Sequence, residues 1–247
     1  MNQISMKGRN MSSLEYKIPL FDIDWTLLKG EEINKRVHRE ANDFALHNVY
    51  HQKNASWRDV FAEGSIDTKI LTDILKIHGV SEKDAKSKMP EAIEVMTQYF
   101  LEHADEGYFE PMPGTIGLLS ELKERNIPMG LLTGNMENIG WEKLRKAGIK
   151  DYFSFGAFGS MAFRRVDLIE IAAQEASKVL GRDVQINDLV IIGDSPLDIA
   201  CARDGGIPVI AVGAGHFKTK DLAHADLTLE SLEEKDKILR FLSISCQ

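Results

Sequence analysis

Residues 18–28 read Ile-Pro-Leu-Phe-Asp-Ile-Asp-Trp-Thr-Leu-Leu, and the rest of the chain is best interpreted outward from them. The run Ile18–Asp22 is apolar and predicts a strand that ends in two carboxylates, Asp22 and Asp24. Carboxylates at positions i and i+2 can both reach one reacting centre if the chain bends as it leaves a sheet. One can then attack phosphorus while the other serves as general acid and base. The alternative is a polar strand end with solvated aspartates, because D-x-D alone is common.

Short apolar runs alternate with amphipathic segments beyond this stretch, which indicates an α/β fold with a parallel sheet covered by helices. The further predicted strands are Met129–Leu132, Phe155–Phe158, Leu189–Ile192 and Pro208–Val212. The predicted helices are Thr115–Arg125, Asn138–Ala147, Val166–Leu180 and Pro196–Arg203.

Residues 31–110 differ from this pattern, because they contain no convincing strand. Apolar residues recur there at near-helical spacing, first from Ile33 to Val49 and again from Ile70 to Leu75. Ser81 with Asp84 resembles a capping box that opens another helix. The segment is too long for a loop in a compact domain, so it is predicted to be an inserted helical module.

The composition excludes several classes of partner. Hydrophobic residues make up 43% of the 247 residues, which suits a packed core, and the formal net charge is -8. Such a surface repels nucleic acid and anionic lipid, so neither is an expected partner, and a phosphate substrate requires a local positive site. The chain contains no run of 18 apolar residues, so no membrane span is predicted.

Two further features bear on location. Cys201 and Cys246 are not at zinc-like or redox spacing, which favours idle thiols in a reducing compartment. The polar N-terminal residues do not resemble a secretory signal, so residues 1–15 are interpreted as a flexible leader and the cytoplasm as the location. The oligomeric state is left open.

A second motif, Leu131-Leu132-Thr133-Gly134-Asn135, follows another predicted strand. A hydroxyl followed by glycine at a strand end suits an oxyanion, because the side chain and the exposed backbone N–H groups can bind phosphoryl oxygens. The alternative is an ordinary strand-to-helix turn in which Asn135 is the N-cap.

A third motif is Ile192-Gly193-Asp194-Ser195-Pro196-Leu197-Asp198. Acidic residues at this helix start could be there for the helix dipole alone. The functional interpretation is that Asp194 joins Asp22 at a hard cation such as Mg²⁺, which prefers carboxylate, phosphate and water oxygens. Ligands of open parallel sheets bind beyond the carboxyl ends of the strands, and all three motifs fall on such ends.

Together these residues give the chain its resemblance to the haloacid dehalogenase-like hydrolase superfamily, from about Tyr16 onward. The resemblance implies a three-layer Rossmann-like parallel-sheet core, residues 16–30 and 111–247, with an α-helical C1-type cap, residues 31–110. Within the superfamily the chain is most similar to phosphoglycolate phosphatase-like members. The resemblance implies a Mg²⁺-dependent phosphatase that hydrolyses a small phosphorylated metabolite through an aspartyl-phosphate.

The resemblance also implies a role for each motif residue. Asp22 is then the nucleophile and Asp24 the acid/base, and Asp194 binds the metal with Asp22 and the main-chain carbonyl of Asp24. The remaining implied site residues are Thr26, supporting the nucleophile loop, Thr133, Gly134 and Asn135 for the phosphoryl group, and Asp198, orienting the site.

Two departures from the family pattern stand out. The family needs a cation before the fourth strand, usually lysine, and this chain offers Arg164 and Arg165 instead. Arg165 is preferred because its spacing to Leu168 and Ile169 resembles that of relatives that use arginine, and Arg164 is the second choice. The alternative for either residue is an arginine on the surface at a helix start. The second departure is Trp25, where the family most often has glycine; its bulk could narrow the entrance or only form a wall.

Competing functions remain open from the sequence. A sugar phosphomutase of the same superfamily shares all these groups, and a non-catalytic binder of phosphorylated metabolites has no use for four acids around an anion. A dehalogenase is disfavoured by Asp24. The histidines form no metal-ligand pair and are assigned to surface or packing roles, and cap residues such as Asp67 and His103 cannot be ranked.

Overall fold

The computed structural model describes residues 16–30 and 32–244, with the backbone alone for residues 32–34. The predicted leader, residues 1–15, and Cys246 lie outside the described residues.

The centre of the fold is a six-stranded parallel sheet. Its strands are β1 (Ile18–Phe21), β2 (Gly130–Thr133), β3 (Phe155–Phe158), β4 (Leu189–Gly193), β5 (Val209–Val212) and β6 (Leu227–Leu229). Their order is β3-β2-β1-β4-β5-β6, so β1 lies between β2 and β4. The strand order therefore reverses beside β1, which is where open α/β sheets bind ligands.

Helices cover the sheet and fill the insertion. Those of the insertion are α1 (Glu32–Asn48), α2 (Asp67–Ile77), α3 (Glu82–Ser87) and α4 (Met89–His103). The others are α5 (Thr115–Glu124), α6 (Glu137–Lys146), α7 (Asp167–Leu180), α8 (Pro196–Gly205) and α9 (Lys235–Phe241). Among the described residues, no helix is both long and apolar enough to cross a membrane.

Alternation along the strands divides the core between the two faces of the sheet. Leu20 and Ile191 pack with α7 and α8 on one face, whereas Phe21 and Ile192 point to the other face. The apolar cluster that contains Phe21 and Ile192 continues into the insertion, where Val37 and Phe100 belong to it. The helices of the insertion are thus held by the same hydrophobic packing as the sheet.

The segment that enters the insertion and the segment that leaves it run side by side. Lys29 N–H donates to the Glu110 carbonyl at 2.9 Å, and Met112 N–H donates to the Leu27 carbonyl at 2.8 Å. The division of the chain at residues 30 and 111 into core and cap stays a prediction.

All five predicted strands are present, with ends that move by one residue at most. Ser81 is the N-cap of α3, since its side chain accepts from the Asp84 N–H, but the Asp84 carboxylate accepts from the Ser81 hydroxyl at 2.6 Å instead of completing the predicted capping box. The prediction missed β6 and α9, because a three-residue strand and a seven-residue helix are too short for a periodic signal. It also did not separate α4 from the helix that begins after Ser81.

Candidate active site

Three strand ends bring the sequence motifs together. Asp22 directly follows β1, Asp194 directly follows β4 and Thr133 is the last residue of β2. Since these strands are neighbours and parallel, their carboxyl ends form one edge of the sheet. Asp22 is tied to that edge because its N–H donates to the Ile192 carbonyl at 2.9 Å.

The chain bends tightly after β1, as the first motif requires. The N–H groups of Leu27 and Leu28 both donate to the Ile23 carbonyl at 2.9 Å, and Trp25 N–H donates to the Leu28 carbonyl at 2.7 Å. The turn places the Thr26 hydroxyl 3.2 Å from Asp194 Oδ1, where it donates a hydrogen bond. Thr26 therefore ties the loop after β1 to the acid after β4.

Three buried acids lie together at this edge. Asp22, Asp194 and Asp198 each offer an oxygen within 4.8 Å of the others. Burial raises the pKa of Asp22 to about 6, Asp198 and Asp24 add to the effect, and Arg165 and Thr133 oppose it. Burial, followed by the charges of Asp198 and Asp22, also raises the pKa of Asp194 well above its usual value. The three carboxylates carry more negative charge than Arg165, which pairs with Asp22 and Asp198, can balance.

Asp198 and Arg165 form the supporting side of this cluster. Asp198 is at the third position of α8 and accepts from both the N–H and the hydroxyl of Ser195 at 3.0 and 2.7 Å. Its other oxygen accepts from Arg165 Nη2, which also lies 3.5 Å from Asp22 Oδ1. Both oxygens of Asp198 are therefore engaged by protein donors.

The two candidate arginines lie in different surroundings. Arg164 is exposed and pairs with Asp167 at the start of α7. Arg165 is buried beside Asp22 and donates from Nη1 to the Gly64 carbonyl at 3.0 Å. Its Nε is buried and finds no hydrogen-bond partner among the described residues.

Asp24, two residues after Asp22, is held by a different set of side chains from the one around Asp198. Asn135 Nδ2 donates to Asp24 Oδ2 at 2.9 Å and also to the Thr133 hydroxyl at 2.9 Å. Asn135 is not the N-cap of α6, since that helix begins after Met136. Both amide atoms of Asn135 have partners within the protein, since Oδ1 also accepts from Lys143 at 2.7 Å, and its contact with a phosphoryl group stays a prediction.

Gly134 is constrained by the insertion. A Cβ at this position would lie 2.1 Å from the Ser65 carbonyl oxygen, and the Gly134 carbonyl accepts from Asp67 N–H at 2.9 Å. Glycine is required here because the backbone of residues 65–67 lies directly on the loop after β2.

The sequence did not point to Lys143, placed His38 among the surface or packing histidines, and named Asp67 without ranking it. Lys143 is only 2% exposed, and its Nζ lies 2.7 Å from Asp24 Oδ2 and 3.2 Å from His38 Nδ1. His38 does pack against Trp57 and Phe100, but it also bonds through Nε2 to Asp67 Oδ2 at 3.0 Å. His103, in contrast, stacks on Tyr99 of its own helix. The one signal in the sequence is that Lys143 interrupts the apolar face of α6, which it shares with Ile139, Gly140 and Leu144.

These contacts determine the charge on Asp24. Burial raises its pKa, but the charge of Lys143 and the hydrogen bonds from Lys143 and Asn135 outweigh burial, so the pKa is lowered. Asp22 and Asp24 thus have pKa values shifted in opposite directions by their surroundings, an arrangement that suits different roles in acid–base chemistry.

A pocket opens above these acids between the sheet edge and the insertion. The insertion contributes Lys35, His38, Arg39, Trp57 and Asp67 to its lining. Trp25 also lines it, with the Lys35 ammonium 5.5 Å from the centre of the indole ring. Lys35 and Arg39 bring positive charge to this pocket, and Lys35 is paired with Glu63 at 2.7 Å.

Comparison with known proteins gives a family and several relatives. Residues 19–212 match the family described as haloacid dehalogenase-like hydrolase. The chain is 30% identical over 123 residues to phosphoglycolate phosphatase of Chromobacterium violaceum, covering 49% of this chain and 53% of that protein. It thus spans about half the length of the first curated relatives it matches.

Other similarities extend over most of the chain. Glyceraldehyde 3-phosphate phosphatase of Methanocaldococcus jannaschii is 25% identical over 236 residues, covering 90% of this chain and 96% of that protein. The crystal structure of β-phosphoglucomutase from Clostridium difficile superposes with a TM-score of 0.65 at 18% identity, covering 92% and 97%. At that identity the superposition shows a shared fold.

Proposed function

Because the chain belongs to the haloacid dehalogenase-like hydrolase family, we propose that it is a phosphatase that hydrolyses a small phosphomonoester through an aspartyl-phosphate on Asp22. The observation that carries the proposal is the convergence of Asp22, Asp194 and Asp198, with Asp22, Asp24 and Asp194 lining one pocket. A small phosphorylated metabolite as substrate and a cytoplasmic location belong to the same proposal.

Asp22 is placed for attack on phosphorus. Its carboxylate lies at the floor of the pocket and is 6% exposed. A nucleophilic carboxylate forms a covalent intermediate that divides hydrolysis into two easier steps. Arg165 lines the same pocket with its Nη2 3.5 Å from Asp22 Oδ1, so it supplies positive charge next to Asp22 and can bind an equatorial phosphoryl oxygen.

Asp24 is placed for proton transfer. In the first step it gives a proton to the departing alkoxide, and in the second it accepts a proton from the attacking water. Lys143 favours its ionised form, which is the form needed as a base. The incoming phosphate is a like charge and opposes ionisation, which favours the protonated form needed as an acid.

The donor set fits a divalent cation such as Mg²⁺. Asp22 and Asp194 are buried carboxylates with raised pKa values, and Asp194 receives a side-chain hydrogen bond from Thr26 on one oxygen. Hard oxygen ligands of this kind are those that Mg²⁺ prefers, and we propose that Asp22, Asp194 and the main-chain carbonyl of Asp24 hold it. When bound, the cation supplies Lewis-acid stabilisation of the phosphoryl charge.

The test is phosphate release from a panel of phosphomonoesters, with and without Mg²⁺. The panel includes phosphoglycolate and glyceraldehyde 3-phosphate, the substrates in the names of two relatives. We expect Asp22→Asn to lower kcat by roughly a thousandfold or more, because the nucleophile is lost. Asp73→Asn, at an exposed acid that pairs with Lys69, is the matched control and should keep full activity.

Product analysis separates the alternatives. Inorganic phosphate identifies a phosphatase, whereas an isomerised sugar phosphate identifies a phosphomutase. An Asp22→Asn enzyme that works at the full rate, or a wild-type chain that binds phosphorylated metabolites without turning any over, would contradict the proposal.

A further inference from the structure

Lys143 is a buried lysine that no motif predicted. It lies in the last turn of α6, where Arg145 is exposed and Lys146 is partly exposed, yet Lys143 itself is 2% exposed. Burying an ammonium is costly unless each of its protons has a partner. Its partners therefore show what the residue is for.

The donors of Lys143 are fully used inside the protein. Its Nζ lies 2.7 and 2.9 Å from the two oxygens of Asp24, 2.7 Å from Asn135 Oδ1 and 3.2 Å from His38 Nδ1. An ammonium has three protons and no acceptor. Asp24, Asn135 and His38 account for all three, so none remains for a phosphoryl oxygen. Lys143 is thus not a substrate-binding cation in this arrangement.

The same count assigns the tautomer of His38. Because the ammonium can only donate, His38 Nδ1 must accept, and the ring proton is on Nε2. Nε2 then donates to Asp67 Oδ2 at 3.0 Å. Asp67 is oriented in turn by the Met136 N–H, which donates to the same oxygen at 2.9 Å. His38 and Asp67 come from the insertion, whereas Lys143 and Asp24 belong to the sheet side of the site.

We propose that Lys143 is a positioning residue for Asp24, and that His38, oriented by Asp67, holds Lys143 in place. The inference rests on the proposed function, because that function makes Asp24 the acid/base. Its consequence is that Asp24 reaches its full alignment only while α1 and α2 sit on the core. The insertion thereby takes part in setting up proton transfer as well as in enclosing the pocket.

Stability alone does not account for the arrangement. A buried ion pair adds little net stability compared with apolar residues of similar volume. Lys143→Met keeps the volume and removes the three donors, so it should fold while leaving Asp24 loosely held. The effect is expected in the rate of the step that needs Asp24.

The test uses p-nitrophenyl phosphate with Mg²⁺, since nitrophenolate leaves without needing an acid. In Lys143→Met we expect a burst of about one equivalent of nitrophenol, followed by steady-state turnover about a hundredfold slower than in the wild type, because the base that activates water is misplaced. KM should change by less than about threefold. Lys178→Met, at an exposed lysine paired with Glu175, is the control and should behave as the wild type.

A double-mutant cycle shows whether Lys143 acts through Asp24. In an Asp24→Asn background, Lys143→Met should slow turnover by less than about twofold further. If Lys143→Met does not fold, His38→Ala replaces it, with an expected loss of about tenfold that also disappears in the Asp24→Asn background.

Losses that multiply in the double variant, or equal loss of burst and steady state in Lys143→Met, would overturn the inference while leaving the proposed function intact. A wild-type chain that releases no phosphate from any phosphomonoester would remove the proposed function, and the inference with it.

Discussion

Trp25 occupies a backbone position that ordinarily suits glycine. Its φ is 66°, in the left-handed region, although it carries the bulkiest side chain. The indole packs over Gly30 and Gly215, where an added Cβ would lie 2.2 Å from Trp25 Nε1 and 2.7 Å from Trp25 Cβ. The strained turn after β1 is thus stabilised by a ring that lines the pocket.

A pair of substitutions separates the strain from the packing. Trp25→Gly and Trp25→Ala both lose the indole, but alanine keeps a Cβ at positive φ. We expect Trp25→Gly to be more stable than Trp25→Ala by about 1 kcal/mol, measured by urea unfolding. An alanine variant as stable as the glycine variant would show that this turn relaxes when the ring is removed.

Two elements are held by contacts between a side chain and a neighbouring backbone. On α2, the Thr68 hydroxyl lies 3.0 Å from the Gly159 carbonyl oxygen and 2.6 Å from that of Ala162, in the segment after β3. Between β2 and β3, Gly130 is paired with Phe155, whose ring lies over the missing side chain. Both contacts hold elements that carry the site.

The α2 contact can be tested by removing one hydroxyl. Thr68→Val keeps the shape but loses both interactions with the core, so we expect a loss of about 1–2 kcal/mol in the free energy of unfolding. Thr72→Val is the control, because the Thr72 hydroxyl bonds only to the Thr68 carbonyl of its own helix, at 2.7 Å. Its loss should stay below about 0.5 kcal/mol. Equal losses in the two variants would contradict a docking role for Thr68.

The strand contact can be tested with two alanines. A Cβ at Gly130 would lie 2.2 Å from the Phe155 ring, whereas one at Gly117 on α5 would meet nothing within 4 Å. Gly130→Ala should therefore destabilise the protein by about 1–3 kcal/mol through overpacking. Gly117→Ala should stabilise it by up to about 1 kcal/mol, because glycine is a poor helix residue. Thermal unfolding of both variants checks the opposite signs.

At the scale of the whole molecule, one continuous apolar cluster joins the sheet to the insertion, and a second closes the other face. Cys201 lies in the second cluster and is 4% exposed. Burial raises the pKa of its thiol to about 12. A thiolate is the reactive form of cysteine, so this thiol should be inert in the folded protein.

Thiol labelling therefore reports global opening of that cluster. In a Cys246→Ser variant, Cys201 should react with a maleimide at less than about 1% of the rate of a free cysteine, and urea should restore the full rate at the unfolding midpoint. Fast labelling under native conditions would show that α8 opens locally, independently of the sheet.

The sequence by itself determined the sheet and the identity of its acids. Apolar runs predicted five strands, and polar residues at three strand ends predicted a common edge, because parallel strands carry their carboxyl ends to the same side. Asp22, Asp194 and Asp198 meet there. That inference needs only local patterns and one rule of topology. The catalytic and ligand roles assigned to these residues stay predictions.

Only the tertiary structure decided what surrounds Asp24. Lys143 and Asp24 are 119 residues apart, and Lys143 and His38 are 105 apart. In a helix such as α6, a lysine is ordinarily a solvated charge. Whether it is buried depends on which face of α6 meets the loop after β1 and on where α1 lies above it. No local pattern encodes that relation, since it arises from the packing of three separate segments.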